Sequence, residues 1–574
     1  MNNAKYRDAI YESRELADLK DLVCSSVALY AGNDAFLVKD APGAAYRPIR
    51  YFEMKDDIDS LGTALSELGL IGKKVAVIGE NRYEWVISYL AVANGAGVIV
   101  PIDRELMADE IRGFLARAGV SAVIHSGKCA KKAAEASEGL GIDFLISMEA
   151  AEEGDGLRSL PALIAMGRQL LGKGRRAYLD IPIDPNAACA LLFTSGTTGP
   201  PKGVMLSHRN IASNIHNMSK YVRVREGQTG LSVLPMHHAY EMSCHILVAM
   251  FQGGRVAICE GLKHILKNIV EAEVSVMLGV PLLFENMHRK VWRNAESKGK
   301  AGRMRLALAL SKRLHGRGAG LSKWLFREVH QVLGGKMELM IVGGAPVDPK
   351  VVEDFNAMGL NMIQGYGMTE NSPIIAVNRD RCSKPDSVGF PMQGTEVRIV
   401  DMDDNGIGEI ICRGDSVMLG YYEDEEESRR VMEDGWLHTG DFGYFDDEGF
   451  LYVTGRKKNI IVTKNGKNIS PEEIECYLCQ IPYVDEVVVW GKDDARRGDT
   501  VICADIFPDI GYAEETHGGP LSIDDWKRVL KREIDGMNER MPLYKRVKRF
   551  AIRDEAFEKT TTQKIKRYVL EHER

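Results

Sequence analysis

Up to about residue 455 the chain alternates short β-branched runs with helix-compatible stretches, and this alternation restricts the fold more than any other feature. KKVAVIGE at 73–80, GVIVPID at 97–103 and SAVIHS at 121–126 each fit a strand, while the stretch from Tyr83 to Ala93 fits a helix. Strands interleaved with helices predict an α/β architecture whose strands run largely parallel. After Arg456 the texture changes. A lysine-rich strand and turn, KKNIIVTKNGKNIS, precedes a capped helix, the runs VDEVVVWG and TVICADIF, and a basic C-terminal stretch. The predicted organisation is a large N-terminal α/β domain of several subdomains over 1–456 and a small C-terminal α+β domain over 457–574. A chain of 574 residues is too long for a single core, which agrees with that division.

A net charge of -7 argues against a dedicated nucleic-acid binder. The opening MNNAKYRDAIYESRELADL is charged throughout and lacks the apolar core of a signal peptide. No run of about 18 apolar residues suggests a membrane span. Ten scattered cysteines read as free thiols in a reducing compartment, so a cytoplasmic location is expected. The pair Cys476 and Cys479 follows Ser470, Pro471 and Glu473, the pattern of an N-cap, a first-turn proline and a capping box. These two cysteines are therefore expected as small residues on a helix, not as a metal or redox pair.

Three loops carry chemistry. In the first, an apolar strand runs into Thr194, Ser195, Gly196, Thr197, Thr198 and Gly199, followed by Pro200, Pro201, Lys202 and Gly203. Glycines let amide groups converge, hydroxyls add donors and the lysine adds charge, a combination suited to a polyphosphate. It is not a Walker loop, because Pro201 and Gly203 stand where that motif needs Gly and Ser or Thr. In the second, MELMIV reads as a strand ending in Gly343, Gly344, Ala345 and Pro346, and Asn361 begins a run closing in Gly365, Tyr366, Gly367, Met368, Thr369 and Glu370. Strand ends that close in glycine loops are where open α/β sheets bind ligands. Tyr366 can stack on a flat ring or simply pack, and Glu370 suits a hard cation such as Mg²⁺. In the third, GWLHTGD places Asp441 after a glycine, and LYVTGR follows with Arg456. That aspartate can accept from a ribose diol or be an ordinary turn residue.

Taken together, FTSGTTGPPKG, GYGMTE, GWLHTGD with YVTGRKKNIIV, and KTTTQKIKR resemble the adenylate-forming superfamily, most closely its bacterial long-chain fatty acyl-CoA synthetases. The resemblance implies ATP-dependent activation of a carboxylic acid to an acyl-adenylate, with Mg²⁺, and transfer to coenzyme A. It also implies that Thr194 to Gly199 and Lys202 hold the phosphates, with Thr369 at the α-phosphate and Thr194 and Glu370 at the metal. Gly344 and Ala345, with Tyr366, would line the adenine pocket, Gly365, Gly367 and Met368 would also bind ATP, and Asp441 and Arg456 would hold the ribose. Lys458 matches the hinge of a mobile C-terminal domain, and Lys564 matches its catalytic lysine. His238, with Gly343 and Gly344, matches the acyl pocket, although a neutral packing histidine is an equal reading. Gln563 and Glu558 depart from the usual Pro-Lys-Thr-x-x-Gly-Lys pattern, and Lys464, Asn465 and Gly466 replace a small-Gly-Gly turn.

Other readings stay open. The acceptor can be an acyl carrier protein and the acid an aryl or bile-type acid. A nucleotide sensor without catalysis would be expected to lack Lys564 or Glu370, and both are present. Met242, Ile246, Leu247 and Met250 can wall an acyl tunnel or form plain core. The segment 289–327 holds twelve Lys or Arg residues against one acid, Glu296, and suits either a solvated face or peripheral contact with an anionic membrane. Monomer and homodimer are both compatible with the sequence.

Overall fold

The computed structural model describes residues 8–149, 156–194, 201–313, 319–379, 382–462, 468–494, 499–559, 565–567 and 570. The chain forms two compact units. The first comprises Met1–Gly344, Lys350–Val397 and Cys412–Leu437, and the second Ala345–Pro349, Arg398–Ile411 and His438–Arg574. The second unit thus includes all of 457–574 together with earlier stretches.

The first unit contains two large sheets. One has eight strands in the order Gly420–Tyr421, Lys202–Ser207, Ala188–Thr194, Val98–Ile102, Lys74–Ile78, Ala122–His125, Phe144–Ser147 and Leu157–Ser159. From Ala188–Thr194 onward every neighbour is parallel, and the two strands at the other end are antiparallel. Its centre consists of the three runs that the β-branched pattern predicts. Apart from their first residues Lys74 and Val98, these strands are buried on both faces, which explains continuous apolar runs in place of alternation. The second sheet has nine strands, with Asn361–Gly367, Leu339–Val342, Val276–Gly279, Thr229–Ser232, Arg255–Ile258 and Asp34–Val38 forming a parallel run.

A single apolar cluster joins the inner faces, with Val75, Val77, Ile99 and Ile124 from one sheet and Phe36, Val256, Leu278 and Ile363 from the other. The helix Tyr83–Asn94 belongs to this cluster. All its residues except Glu84 are buried, as required of a helix that is apolar all round. On the opposite face of the eight-stranded sheet, Ala76, Ile78, Val100 and Val123 pack on Ile111, Leu115, Ala133 and Ala136.

In the second unit, Val484–Asp494, Asp499–Pro508 and Val547–Ile552 form a three-stranded sheet. Ile474, Leu478, Trp526, Leu530 and Ile534, from the helices Pro471–Leu478 and Ile523–Asn538, complete its core. Pro471 occupies the first helical turn as predicted, and all ten cysteines are free thiols. The expected capping box does not form. Ser470 Oγ donates to Glu472 Oε2 at 3.0 Å, and Glu473 is drawn to Lys545 Nζ at 2.6 Å, a full charge competing with a backbone amide.

Candidate functional site

In the first unit the polar residues gather around a hairpin. Ala188–Thr194 ends with Thr194 opposite Lys202, and Lys202–Ser207 returns antiparallel to it. Thr194 Oγ1 donates to the Lys202 carbonyl at 3.4 Å across the base of the connection. Ser195, Gly196, Thr197, Thr198 and Gly199 lie outside the described residues. On its far side Lys202–Ser207 pairs with Gly420–Tyr421, so that Tyr421 stands opposite Val204. Gly203 permits this approach: a Cβ there would lie 3.2 Å from Tyr422 Cβ and 3.0 Å from Leu191 Cδ1.

This pairing brings Lys202, Tyr421, Glu370 and Glu427 together. Lys202 Nζ lies 5.0 Å from the centre of the Tyr421 ring, and the Tyr421 hydroxyl donates to Glu370 Oε1 at 2.9 Å. Burial, reinforced by Glu370, pushes the phenol pKa up, so the hydroxyl stays protonated and able to donate. Lys202 also pairs with Glu427, which Arg430 grips through two 2.5 Å contacts. Arg430 first, and then Lys202, hold the Glu427 carboxyl down to about 2.

Glu370 and Thr369 occupy the tight turn Thr369–Asn371, directly after the strand Asn361–Gly367 and Met368. A Cβ on Gly367 would stand 2.0 Å from the Pro373 carbonyl oxygen, so only glycine allows the chain to fold back here. Met368 N–H donates to Pro373 O and Met418 N–H to Glu370 O, each at 2.8 Å, which pins the turn on both sides. Leu339–Val342 lies parallel beside Asn361–Gly367, so Gly343 and Gly344 emerge next to Gly365 and Tyr366. The Tyr240 hydroxyl donates to Ile341 O at 3.2 Å and would stand 3.1 Å from a Cβ on Gly343. Tyr366 is half-buried against the main core. His238 precedes the turn Ala239–Glu241 and lies 4.1 Å, ring to ring, from His237, whose pKa burial lowers to about 3. Met242, Ile246, Leu247 and Met250 are all buried members of the main core.

In the second unit Asp441 and Arg456 face each other in a two-stranded ladder, with Nε to Oδ1 at 3.4 Å. The Asp441 amide donates to Thr439 Oγ1 at 3.1 Å, and Gly440 N–H donates to Glu409 Oε1 at 3.2 Å. The other Glu409 oxygen takes Lys457 Nζ at 2.8 Å. Lys458 is exposed on the turn Lys457–Asn459. Ala345 belongs to the short stretch counted with this unit. Lys564 lies outside the described residues, but its flanks pair: Lys559 bridges Ile565, and Lys566 N–H donates to Glu558 O at 2.8 Å.

The first-unit cluster offers an ammonium, a hydroxyl and a carboxylate whose Oε2 carries no hydrogen bond among the described residues. No group of three or more His, Cys, Asp or Glu that could hold a metal occurs there among the described residues. The Glu370 carboxylate fits Mg²⁺, which is commonly held by one or two carboxylates plus phosphate oxygens and water, while the Lys202 ammonium suits the phosphates themselves. Tyr421, Glu427, Tyr240 and Glu409 are absent from the residues that sequence reading picks out. The Gly-Tyr-Tyr step before the acidic run is the only local sign of Tyr421, since its role arises from a long-range strand pairing.

The AMP-binding enzyme family model matches residues 27–422. The chain is 30% identical over 456 residues to the long-chain-fatty-acid–CoA ligase FadD15 of Mycobacterium bovis, covering 76% of this chain and 74% of that protein. It is 27% identical over 570 residues to the long-chain-fatty-acid–[acyl-carrier-protein] ligase AEE15 of Arabidopsis thaliana, covering 86% and 77%. The crystal structure of the anthranilate CoA ligase AuaEII with anthranoyl-AMP superposes with a TM-score of 0.77 at 20% identity over 98% of both chains.

The Lys202–Glu427 pair predicts how the hairpin responds to polyanions. Glu427→Gln removes a negative charge beside the ammonium and should tighten binding of inorganic tripolyphosphate by roughly two- to fivefold, the scale of a partly exposed charge pair. Isothermal titration calorimetry at low salt reads this directly, and the gain should vanish in the Lys202→Ala background.

Proposed function

The chain belongs to the AMP-binding enzyme family, and from that premise we propose that it joins a carboxylic acid, a long-chain fatty acid, to coenzyme A through an acyl-adenylate. The observation that carries this reading is the convergence of Lys202, Tyr421 and Glu370 at the strand end where Thr194 faces Lys202, within the span of the family match. The likeness to a fatty-acid–CoA ligase supports the choice of acid and acceptor.

An ionised carboxylate is already a nucleophile and needs no general base. The obstacle is electrostatic, since it must approach the α-phosphorus of a polyanion. Thr194 to Gly199 and Lys202 hold the phosphates of ATP, and Thr369 contacts the α-phosphate. Gly344 and Ala345, with Tyr366, receive the adenine, Gly365, Gly367 and Met368 complete the ATP site, and Asp441 with Arg456 receives the ribose. Glu370 and Thr194 would hold Mg²⁺, which supplies neutralisation of phosphate charge when bound. The Tyr421 hydroxyl orients Glu370 for this by occupying one carboxylate oxygen. Lys564 adds its ammonium to the first step only. The carboxylate oxygen bonds to the α-phosphorus, pyrophosphate departs, and the thiol then displaces AMP from the acyl carbon. His238, Gly343 and Gly344 border the acyl group, and Lys458 is the hinge between the two steps.

ATP–pyrophosphate exchange across fatty, aryl and sterol acids, followed by addition of coenzyme A or carrier protein, tests the proposal. Exchange should be greatest with long-chain fatty acids, with thioester forming on coenzyme A. Exchange with no acid would contradict it. Within the mechanism, Lys564→Ala should slow adenylation at least ~10²-fold while sparing thioester formation from supplied acyl-adenylate. Lys458→Pro should do the reverse by restraining φ at the hinge. Equal loss of both steps in both variants would refute the division of labour.

Peripheral contact with an anionic membrane belongs to the same proposal. The helix Ala301–Arg313 buries Met304, Leu308 and Ser311, which leaves Leu306 and Leu310 on its outer face, Leu306 at 73% exposure. Arg303, Arg305 and Arg313 are exposed beside them, and Trp324 is 71% exposed on the helix Ala319–Leu325. Lys298 and Lys300 instead pair with Glu328. No helix among the described residues is long and apolar enough to cross a membrane. Arginines beside outward leucines and a tryptophan suit the headgroup boundary, at about 1 kcal/mol per basic residue. Co-sedimentation with anionic vesicles should weaken with salt, and weaken further when Arg303, Arg305 and Arg313 become Gln or when Leu306 and Trp324 become Ser. A wild type that ignores anionic vesicles at low salt would make the patch a solvated face.

A further inference from the structure

In the second unit one guanidinium joins several parts of the chain. Arg567 Nη2 meets the Glu475 carboxylate and lies 3.9 Å from Glu472 Oε1, while Nη1 donates to the Val489 carbonyl at 3.3 Å. Glu472 and Glu475 are three residues apart on the helix Pro471–Leu478 and so share a face. Glu475 Oε1 accepts the Val489 N–H at 2.6 Å, which fixes the helix to the strand Val484–Asp494. Glu472 reaches the other way: its Oε1 accepts from Asn459 Nδ2 at 2.5 Å, and its Oε2 accepts from Ser470 Oγ at 3.0 Å. Asn459 closes the turn that contains Lys458. Gly455 makes room for the arrangement, because a Cβ there would stand 2.2 Å from Ser470 Oγ and 3.0 Å from Glu472 Oε2.

Burial raises the Glu475 carboxyl to about 6 against the opposing pull of Arg567. A desolvated carboxylate of this kind contributes little net stability, and apolar replacements of buried ion pairs are often neutral or better. Geometry is the better explanation for its presence. A planar guanidinium can address two carboxylates and a carbonyl at once, which an ammonium cannot do with the same fixed spacing.

We infer that Arg567 is a positioning residue that, through Glu472 and Asn459, ties the segment following Lys564 to the hinge turn at Lys458. Arg567 lies three residues beyond Lys564 in sequence, so the link fixes 565–567, the described residues next to that lysine, relative to the turn Lys457–Asn459. The inference rests on the proposed roles of Lys564 and Lys458 in the two-step reaction.

The test uses the full-length protein and measures adenylation by pyrophosphate exchange, thioester formation from supplied acyl-adenylate, and thermal melting. Arg567→Ala should lower kcat for adenylation by roughly 10- to 100-fold, the scale of misplacing a reacting group by about 1 Å. KM for ATP and for the acid should stay within about threefold, and thioester formation should be retained. Arg567→Lys should recover only part of the loss. Glu472→Gln should lower adenylation less, and should add nothing in the Arg567→Ala background, because both remove one link. If Arg567→Ala does not fold, Asn459→Ala and Glu472→Gln, singly and together, carry the same comparison. Equal losses in both half-reactions, an unchanged adenylation rate in folded Arg567→Ala, or additive effects would overturn the inference. A wild type without exchange would instead refute the underlying reaction.

Discussion

The strand Lys202–Ser207 is paired on both edges, with Ala188–Thr194 on one side and Gly420–Tyr421 on the other, and the candidate site depends on that double pairing. The first pairing sets Thr194 opposite Lys202, the two described residues that bracket the Gly/Ser/Thr segment in sequence. The second brings Tyr421 and Glu427 to that lysine, Glu427 from 225 residues along the chain. Neither Tyr421 nor Glu427 could act on Lys202 without it. The absence of a side chain at Gly203 is the local condition that lets the third strand approach.

The electrostatics follow from this placement. Lys202 is not left as a bare ammonium but shares Glu427 with Arg430, which keeps it oriented before any anion arrives. Glu370 is held by a buried hydroxyl on one oxygen and by a turn that only glycine at 367 permits. A site assembled from donors fixed in advance reorganises little when phosphate charge enters, which is the condition for electrostatic catalysis. In the second unit Glu409 plays a comparable part, taking the Gly440 amide and the Lys457 ammonium next to the Asp441 and Arg456 pair.

Much of the fold was legible in the sequence because the central strands are buried on both faces. Lys74–Ile78, Val98–Ile102 and Ala122–His125 are continuous apolar runs for that reason, and the helix Tyr83–Asn94 is apolar all round because it is enclosed. Residues that act through their neighbours in sequence, such as Gly367 before Thr369 and Glu370, could be picked out from a motif. Tyr421, Tyr240 and Glu409 could not, since each acts on a partner brought to it by strand pairing or helix packing. The capping box at Ser470 shows the converse error. Its residues are correctly spaced, yet Glu473 is taken by Lys545, more than seventy residues away, and a local motif yields to a distant charge. The outer leucines of Ala301–Arg313 fit a helical period, but the period alone does not say that Met304 and Leu308 face inward instead.

The central claim is that a carboxylate attacks the α-phosphorus of ATP and leaves an oxygen on AMP. Carboxyl-¹⁸O-labelled palmitate incubated with the protein, ATP, Mg²⁺ and coenzyme A tests this directly, with the nucleotide products read by mass spectrometry. The account predicts one ¹⁸O atom in AMP for each thioester formed, with unlabelled pyrophosphate. Label appearing in orthophosphate alongside ADP, or AMP formed without label, would contradict it.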